Sequence, residues 1–388
     1  MQAHVVGYGS IDVLGNNSLS SFNRMLDDHD YIKQLDFMSD YPINRGYMVD
    51  DNCIEYPEGF KPRALTRAQK FAMHATNIAI SHSKLPIKKD VAVIISSTLS
   101  EGEFVSTDFS KLLENRKVQP RRMINRITDM VTYHVVSHWG FHGMSTSVAA
   151  ACATGLVGID YAMRLLDEYE YVIVGSADAG CYPMALKGFT TIGAISADNK
   201  PFDDYRSGFV MGEGAGVLIL QSEEKAKEYG STSHAKLYTP GHASEGLHIT
   251  SPAEDGRGAI QSITSALKNA GYPTVDAVCA HATSTPVGDV VEYSAIAKTL
   301  PDSVIWAPKS KVGHTIGGAG TLETIYCIES MKQGTVPHIQ NLEICSFDTN
   351  NKLATLNQAL PKKDKLVMIN NSFGFGGKNM SQVIEVSV

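Results

Sequence analysis

One cysteine and two histidines stand where this chain can do chemistry. Cys152 lies in AAACATG (149–155), after three alanines and before Ala153, Thr154 and Gly155. The apolar run Leu156, Val157, Ile159 and Ala162 predicts a helix over 153–167 with the thiol at its N-terminus. Free N–H groups and the positive end of the helix dipole favour a thiolate at such a place. The same stretch also fits an inert thiol, because a free cysteine among alanines behaves as a small hydrophobe. His281 opens HATSTPVGD (281–289), at the end of an apolar run and ahead of the hydroxyls of Thr283, Ser284 and Thr285. A histidine facing a loop at a strand's end suits proton transfer, and neighbouring threonines suit the amides of a ligand. Read alone, the segment favours a capped turn with a structural histidine. His314 lies in KSKVGHTIGGAG (309–320), after Lys309 and among Gly313, Gly317, Gly318 and Gly320, which let backbones approach closely. That stretch lacks G-x-x-x-x-G-K-[ST], and GYGSID near the start lacks the third glycine of a dinucleotide fingerprint, so nucleotide binding is not indicated.

These residues need elements to hold them. VVGYGS (5–10) reads as a short buried strand running into a glycine turn, and Thr66-Arg67-Ala68-Gln69 as a capping box opening a helix. VAVIIS (91–96) and YVIVGS (171–176) read as buried strands, and STSVAAAC (145–152) as a strand ending at Cys152. GFVMGEGAGVLIL (208–220) has the glycine content of a bent inner strand or a hairpin. The pattern then returns. DAVCAH (276–281) and VIWAP (304–308) are strand-like, and 287–300 and 315–332 helix-like. KLVMIN (365–370) and SQVIEVSV (381–388) close the chain as strands around NNSFGFGGKN (370–379). Both parts alternate strand and helix, which predicts an α/β protein with mostly parallel sheets, divided at 1–235 and 236–388.

The totals agree with two joined halves, since 388 residues exceed one simple core. A net charge of −7 argues against a nucleic-acid-binding surface, and no apolar run reaches the roughly 18 residues of a membrane span. MQAHVVGYGSIDV shows no basic region followed by an apolar one, so no signal peptide is expected. The six cysteines form neither a zinc pattern nor a disulfide framework, and a reducing cytoplasm is the expectation. His134, His138 and His142 read as structural or surface groups.

Taken in order, ACATG, H-x-T-S-T-P-x-G-D, K-S-x-x-G-H-x-x-G-x-A-G and N-S-F-G-F-G-G, with PFDDYRSGFVMGEGAG (201–216) between, resemble the β-ketoacyl-acyl-carrier-protein synthases of the thiolase-like superfamily. The likeness runs from VVGYGS to the last strand, and the second histidine points to the elongating type. It implies a duplicated thiolase-like fold, layered α-β-α-β-α with mixed five-stranded sheets. It implies that Cys152 carries the acyl group and that the amides of Cys152 and Phe375 form an oxyanion hole. His281 and His314 would hold a malonyl thioester carbonyl while CO₂ leaves, with Lys309 and Glu323 supporting the second histidine. Thr283 and Thr285 would bind a phosphopantetheine arm, and Phe373 and Phe375 would gate the pocket. No metal or organic cofactor is implied. Acyl carrier protein is the implied partner, and a homodimer would pair through the strand near 145–150.

The carrier is acidic, and Lys111, Arg116, Lys117, Arg121, Arg122 and Arg126 crowd one segment, with Arg67 and Lys70 on an earlier helix. Most charge runs are solvated faces. Arg67, Lys70, Arg121 and Arg122 are nonetheless the expected docking residues. Three features depart from the family pattern: Ala282 replaces a glycine, loop 194–203 is short, and segment 96–104 lacks paired glycines. A ketosynthase of a polyketide or other secondary lipid pathway would share every residue named. A non-catalytic chain-length partner typically lacks the cysteine, and a degradative thiolase would carry a second one in NNSFGFGGKN.

Overall fold

The computed structural model of the chain describes residues 1–86, 88–350 and 352–388. In the first half the neighbouring strands are Ser145–Thr146, Ala92–Ser96, Val172–Ala179, Glu213–Gln221 and Gln2–Asp12. In the second they are Val304–Trp306, Ala277–Cys279, Lys365–Gly374, Lys378–Ser387, and then Ala235–Tyr238 and Gly241–Ser244. Numbered within its own half, each series reads 3-2-4-5-1. In both, the pairs 3–2 and 2–4 are parallel, and the pairs 4–5 and 5–1 antiparallel. The expectation of mostly parallel sheets is thereby corrected. A tight turn joins Lys365–Gly374 to Lys378–Ser387, and strands joined that closely run antiparallel.

Ala235–Tyr238 pairs with both Gln2–Asp12 and Lys378–Ser387. The five strands of the first half and the six of the second, whose first position is split into Ala235–Tyr238 and Gly241–Ser244, therefore share one eleven-stranded hydrogen-bonded network among the described residues, where separate sheets were expected. The division expected at 235/236 falls at the start of this shared strand.

Strands buried on both faces separate the apolar side chains into layers. Val6, Phe71, Ala75 and Ile173 form a cluster under the outer helix Arg67–Ser83. Val5, Leu156, Val174, Leu322 and Met368 form the middle core around helices Thr154–Arg164 and Ala319–Gln333. Ile263, Val278, Ile296 and Val383 fill the space under the outer helices Arg257–Ala270 and Gly288–Thr299. The result is the layered, duplicated thiolase-like α/β architecture. Ala319–Met331 is buried on every side, as a helix between two sheets must be.

Local chemistry explains where elements begin and end. The capping box is present: Thr66 Oγ1 accepts from the Gln69 amide and the Gln69 side chain accepts from the Thr66 amide. Gly7 and Gly9 do not make a turn, as expected from VVGYGS, but lie inside Gln2–Asp12. A Cβ on Gly9 would lie 2.3 Å from the Ala75 carbonyl oxygen, so the glycine lets the outer helix settle on the strand. The strand expected over 145–152 stops at Thr146. Beyond it Ser147 Oγ donates to the Ile95 carbonyl and the Val148 amide donates to Ser96 Oγ, so hydroxyls replace the backbone ladder. The 208–220 segment is no hairpin. Glu213–Gln221 runs as one buried strand, and a Cβ on Gly216 would meet the Leu322 amide at 2.7 Å. Among the described residues no helix is long and apolar enough to cross a membrane.

Candidate active site

Two turns deliver the reactive groups. A single 3₁₀ turn, Ala151–Ala153, holds Cys152 and runs into Thr154–Arg164. A second, Ile316–Gly318, follows His314 and runs into Ala319–Gln333. The two helices meet where neither carries a side chain. A Cβ on Gly155 would lie 2.6 Å from the Thr321 amide and 2.9 Å from Gly320 Cα. The hairpin turn after Gly374 completes the floor, and His281 follows the short strand Ala277–Cys279.

Cys152, His281, His314, Phe373 and Phe375 line a single cavity of about 500 Å³, together with Thr283 and Thr285. His314 Nε2 stands 3.1 Å from Cys152 Sγ. The Ile316 amide faces His314 Nδ1 at 3.3 Å. An amide N–H can only donate, so Nδ1 accepts and the neutral ring carries its proton on Nε2, directed at the sulfur. The His281 and His314 rings lie 5.4 Å apart and nearly perpendicular, and Phe373 sits 5.8 Å from His281.

Burial dominates the electrostatics. The thiol of Cys152 is pushed up to about 11 by burial, while the Lys309 charge and the amides of Phe375 and Cys152 pull it back. The thiolate expected from the helix N-terminus is therefore replaced by a neutral thiol at rest. Burial also holds His281 and His314 well below the ordinary histidine range, and Lys309 pushes both further down. Both rings are thus neutral. Lys309 is ion-paired with Glu323, both 2% exposed, and Glu323 is pushed up to about 7 by burial against the opposing lysine. One Sγ and one nitrogen from each histidine lie within 4.8 Å of one another, close enough to grip a thiophilic cation.

Two carboxylates that sequence reading missed hold this site together. Glu292 accepts from the amides of His281 and Ala282, both at 2.7 Å, and from Asn371 Nδ2. Asp178 accepts from Ser97 Oγ, the amides of Thr98 and Leu99, and the Gly317 amide at 2.9 Å. Neither position carries a local signal, because no partner lies within the few residues around it: those of Glu292 begin 10 residues away and those of Asp178 79. Thr283 and Thr285 hydroxyls face each other at 3.2 Å on the cavity wall. Ala282 has φ of 35°, the left-handed conformation in which a glycine would be unstrained.

The expected docking residues separate. Arg67 is only 15% exposed in its side chain, clasped by buried Glu213, by Asp51 and by the Val49 carbonyl. Arg122 grips Asp108 at 2.9 Å and stacks 3.6 Å above the Phe104 ring. Both are therefore ion-paired to buried carboxylates as well as partly exposed. Lys70 is half-buried and Arg121 exposed.

Known proteins share this layout. Residues 11–226 match the β-ketoacyl synthase N-terminal domain and residues 234–343 its C-terminal domain. The chain is 30% identical to 3-oxoacyl-[acyl-carrier-protein] synthase 2 of Vibrio harveyi, covering 98% of this chain and 97% of that one. It is 29% identical to a 3-oxoacyl-[acyl-carrier-protein] synthase homolog of Saccharomyces cerevisiae, covering 97% of each. The ishigamide ketosynthase/chain length factor superposes with a TM-score of 0.89 at 24% identity, over 100% of this chain and 99% of that one. A type II polyketide ketosynthase in complex with its acyl carrier protein also superposes with a TM-score of 0.89, at 20% identity and the same coverage. With both domain models matched in order and full-length relatives at this identity, the chain belongs to the β-ketoacyl synthase family.

Proposed function

We propose that this protein is a β-ketoacyl-acyl-carrier-protein synthase that extends a fatty acyl chain by decarboxylative condensation. The carrying observation is the floor of the cavity: a sulfur faced by two amides, 3.1 Å from a histidine Nε2, with a second neutral histidine beside it. The Cys152 sulfur attacks the carbonyl of an acyl thioester, its proton passes to the departing thiol of the arm, and the acyl group stays on Cys152. The amides of Cys152 and Phe375 hold the oxyanion that forms. A malonyl thioester then enters. Donation from the neutral histidines to its carbonyl stabilises the enolate left when the C–C bond to the carboxylate breaks and CO₂ departs. The enolate carbon attacks the acyl-Cys152 carbonyl, the C–S bond breaks, and the thiolate takes up a proton. Apolar walls from Leu99, Phe189, Ile192 and Phe209 keep water from the enolate. This chemistry draws on no metal or organic cofactor.

Acyl carrier protein is the partner, and Lys70 and Arg121 are the charges left to steer it. A second copy of the chain covers the edge strand Ser145–Thr146, which ends the sheet; exposed Phe109, Leu112, Leu113, Met123, Ile124 and Ile127 are further apolar surface for it to cover. The cytoplasm is the working compartment, and 1–235 and 236–388 act as two halves of one unit. The neighbouring polyketide ketosynthases keep a second reading in view, a polyketide or other secondary lipid pathway.

The test is condensation of malonyl-carrier with acyl-carrier primers of graded length. A single addition to fatty acyl primers supports the proposal. Repeated additions without reduction of the product favour the polyketide reading, and no β-ketoacyl product from any primer overturns both. Charge reversal at Arg121 should raise KM for carrier substrates and leave a small thioester mimic unaffected. Equal losses on both would assign Arg121 to the fold.

A further inference from the structure

Segment 199–208 reaches from the first half onto the second and takes no part in the chemistry above. Asn199 Nδ2 donates to the Lys309 carbonyl at 2.5 Å and Ser207 Oγ pairs with Ser196 Oγ at 2.8 Å, but most of the segment's bonds go to two loops. Towards residues 341–346, the Asn199 carbonyl accepts from Asn341 Nδ2, buried Asp203 accepts from the amides of Glu343 and Ile344, and Asp204 accepts from the Ser346 amide. Towards residues 282–289, the Lys200 amide donates to Ser284 Oγ at 3.0 Å, the Gly208 amide to the Ser284 carbonyl at 2.8 Å, and the Phe202 amide to Asp289 Oδ2 at 2.7 Å. The segment is therefore a strap, anchored on one loop and gripping another.

The gripped loop is the one that needs holding. Ala282 and Ser284 both have positive φ, 35° and 63°, which costs about 1 kcal/mol or more for a residue with a Cβ. Between and beyond them stand Thr283 and Thr285, whose hydroxyls face the cavity. One side chain of the strap closes on this lip. Arg206 Nε donates to the Thr285 carbonyl at 3.1 Å and Nη2 to the Pro286 carbonyl at 2.5 Å, while Nη1 holds the Asp203 carbonyl at 2.8 Å. Its guanidinium also lies 5.1 Å from the ring of Phe347, the residue after the anchoring loop. A planar fork with several donors fits two successive carbonyls in a way a single ammonium does not.

We propose that Arg206 is a positioning residue for the substrate's arm: it fixes the 283–286 lip so that Thr283 and Thr285 meet the amides of a pantetheine-type thioester. The proposal rests on the ketosynthase reading given above. It separates recognition of the arm from the reacting centre, because the bonds of Arg206 go to the lip and to the Asp203 carbonyl of its own strap, and none to Cys152, His281 or His314.

Acylation of Cys152 tests it, with hexanoyl-pantetheine as the donor with an arm and p-nitrophenyl hexanoate as the donor without one. In Arg206→Ala the half-saturating concentration of hexanoyl-pantetheine should rise about tenfold, with the maximal rate within about twofold of the parent. The rate with p-nitrophenyl hexanoate and the rate of alkylation by iodoacetamide should stay unchanged. Arg206→Lys, which keeps the charge but not the fork, should remain impaired, and millimolar guanidinium should partly restore Arg206→Ala. Equal losses with both donors would make Arg206 a structural residue and overturn the proposal. Full activity of Arg206→Lys would overturn it too, since charge alone would then suffice, as would a defect seen only with carrier-borne substrate. If the parent protein itself shows no preference for the donor with an arm, the ketosynthase reading fails and this inference goes with it. A parent that prefers the arm and an Arg206→Ala variant that matches it would sink this inference alone.

Discussion

The turn that carries Cys152 and the turn that follows His314 occupy matching places in the two halves, yet only one is open. Each lies between the third and fourth strands of its half and each begins on a non-glycine residue with positive φ, Ala151 at 49° and Ile316 at 50°. Each makes one 3₁₀ turn and enters a buried helix, and those helices cross at Gly155 and Gly320. The second position is Cys152 in one turn and Gly317 in the other. In the first half the amide at that position faces the sulfur and the cavity. In the second the Gly317 amide is taken by Asp178 Oδ2 at 2.9 Å and Thr98 Oγ1 at 3.1 Å. One backbone device thus serves twice. A turn that aims an N–H inward is plugged by a protein carboxylate in one half and left facing the cavity in the other, where the proposed function would use it for a transient oxyanion.

The harshest way to break this comparison is to remove the thiol. Cys152→Ala should lower self-acylation by about a thousandfold or more, judged by mapping the acyl adduct after digestion. An adduct on any other cysteine would show that the open turn is not the reacting one. The state of that thiol comes next. With burial holding it near 11, only a small fraction is thiolate at neutral pH. That fraction grows as pH rises toward the folded value, so alkylation by iodoacetamide should speed up about tenfold per unit between about pH 7 and pH 9. A plateau near neutrality would mean that His314 has taken the proton in the resting protein.

The symmetry can also be tested at the crossing. Gly155→Ala places a methyl within 3.0 Å of three backbone atoms of the facing helix, which cannot swing aside as a side chain can. A loss of about 3 kcal/mol in urea unfolding is expected. A loss below about 1 kcal/mol would show that the helices can separate without cost. The smallest effect belongs to Ala282, whose φ of 35° is strained for a residue with a Cβ. Ala282→Gly should be neutral or stabilising by up to about 1 kcal/mol and should leave or raise turnover. A large fall in activity would mean that the methyl, buried at 1% exposure, packs productively in the loop.

Much of this protein was legible before any coordinate. Alternating apolar runs mark the strands, because a strand buried on both faces has no polar positions to hide it, and Thr66 and Gln69 announce their helix because a capping box is local. Cys152, His281 and His314 were legible through the order of their motifs. Other properties depend on atoms brought together from distant parts of the chain. Strand direction was one: neighbours in sequence do not state which strand pairs with which. The charge state of Cys152 was another. A helix N-terminus argues for a thiolate, but the burial that raises the thiol comes from residues of both halves. Arg67 and Arg122 look alike as sequence, two basic residues in basic surroundings, and only packing reveals Glu213 and Asp108 beneath them. Asp178 and Glu292 read as ordinary acids, since a carboxylate's role follows from the donors that surround it and those donors lie 79 to 139 residues away for Asp178. Local bonding and periodicity are written along the chain; burial, pairing and charge state are set by what the fold places next to each group.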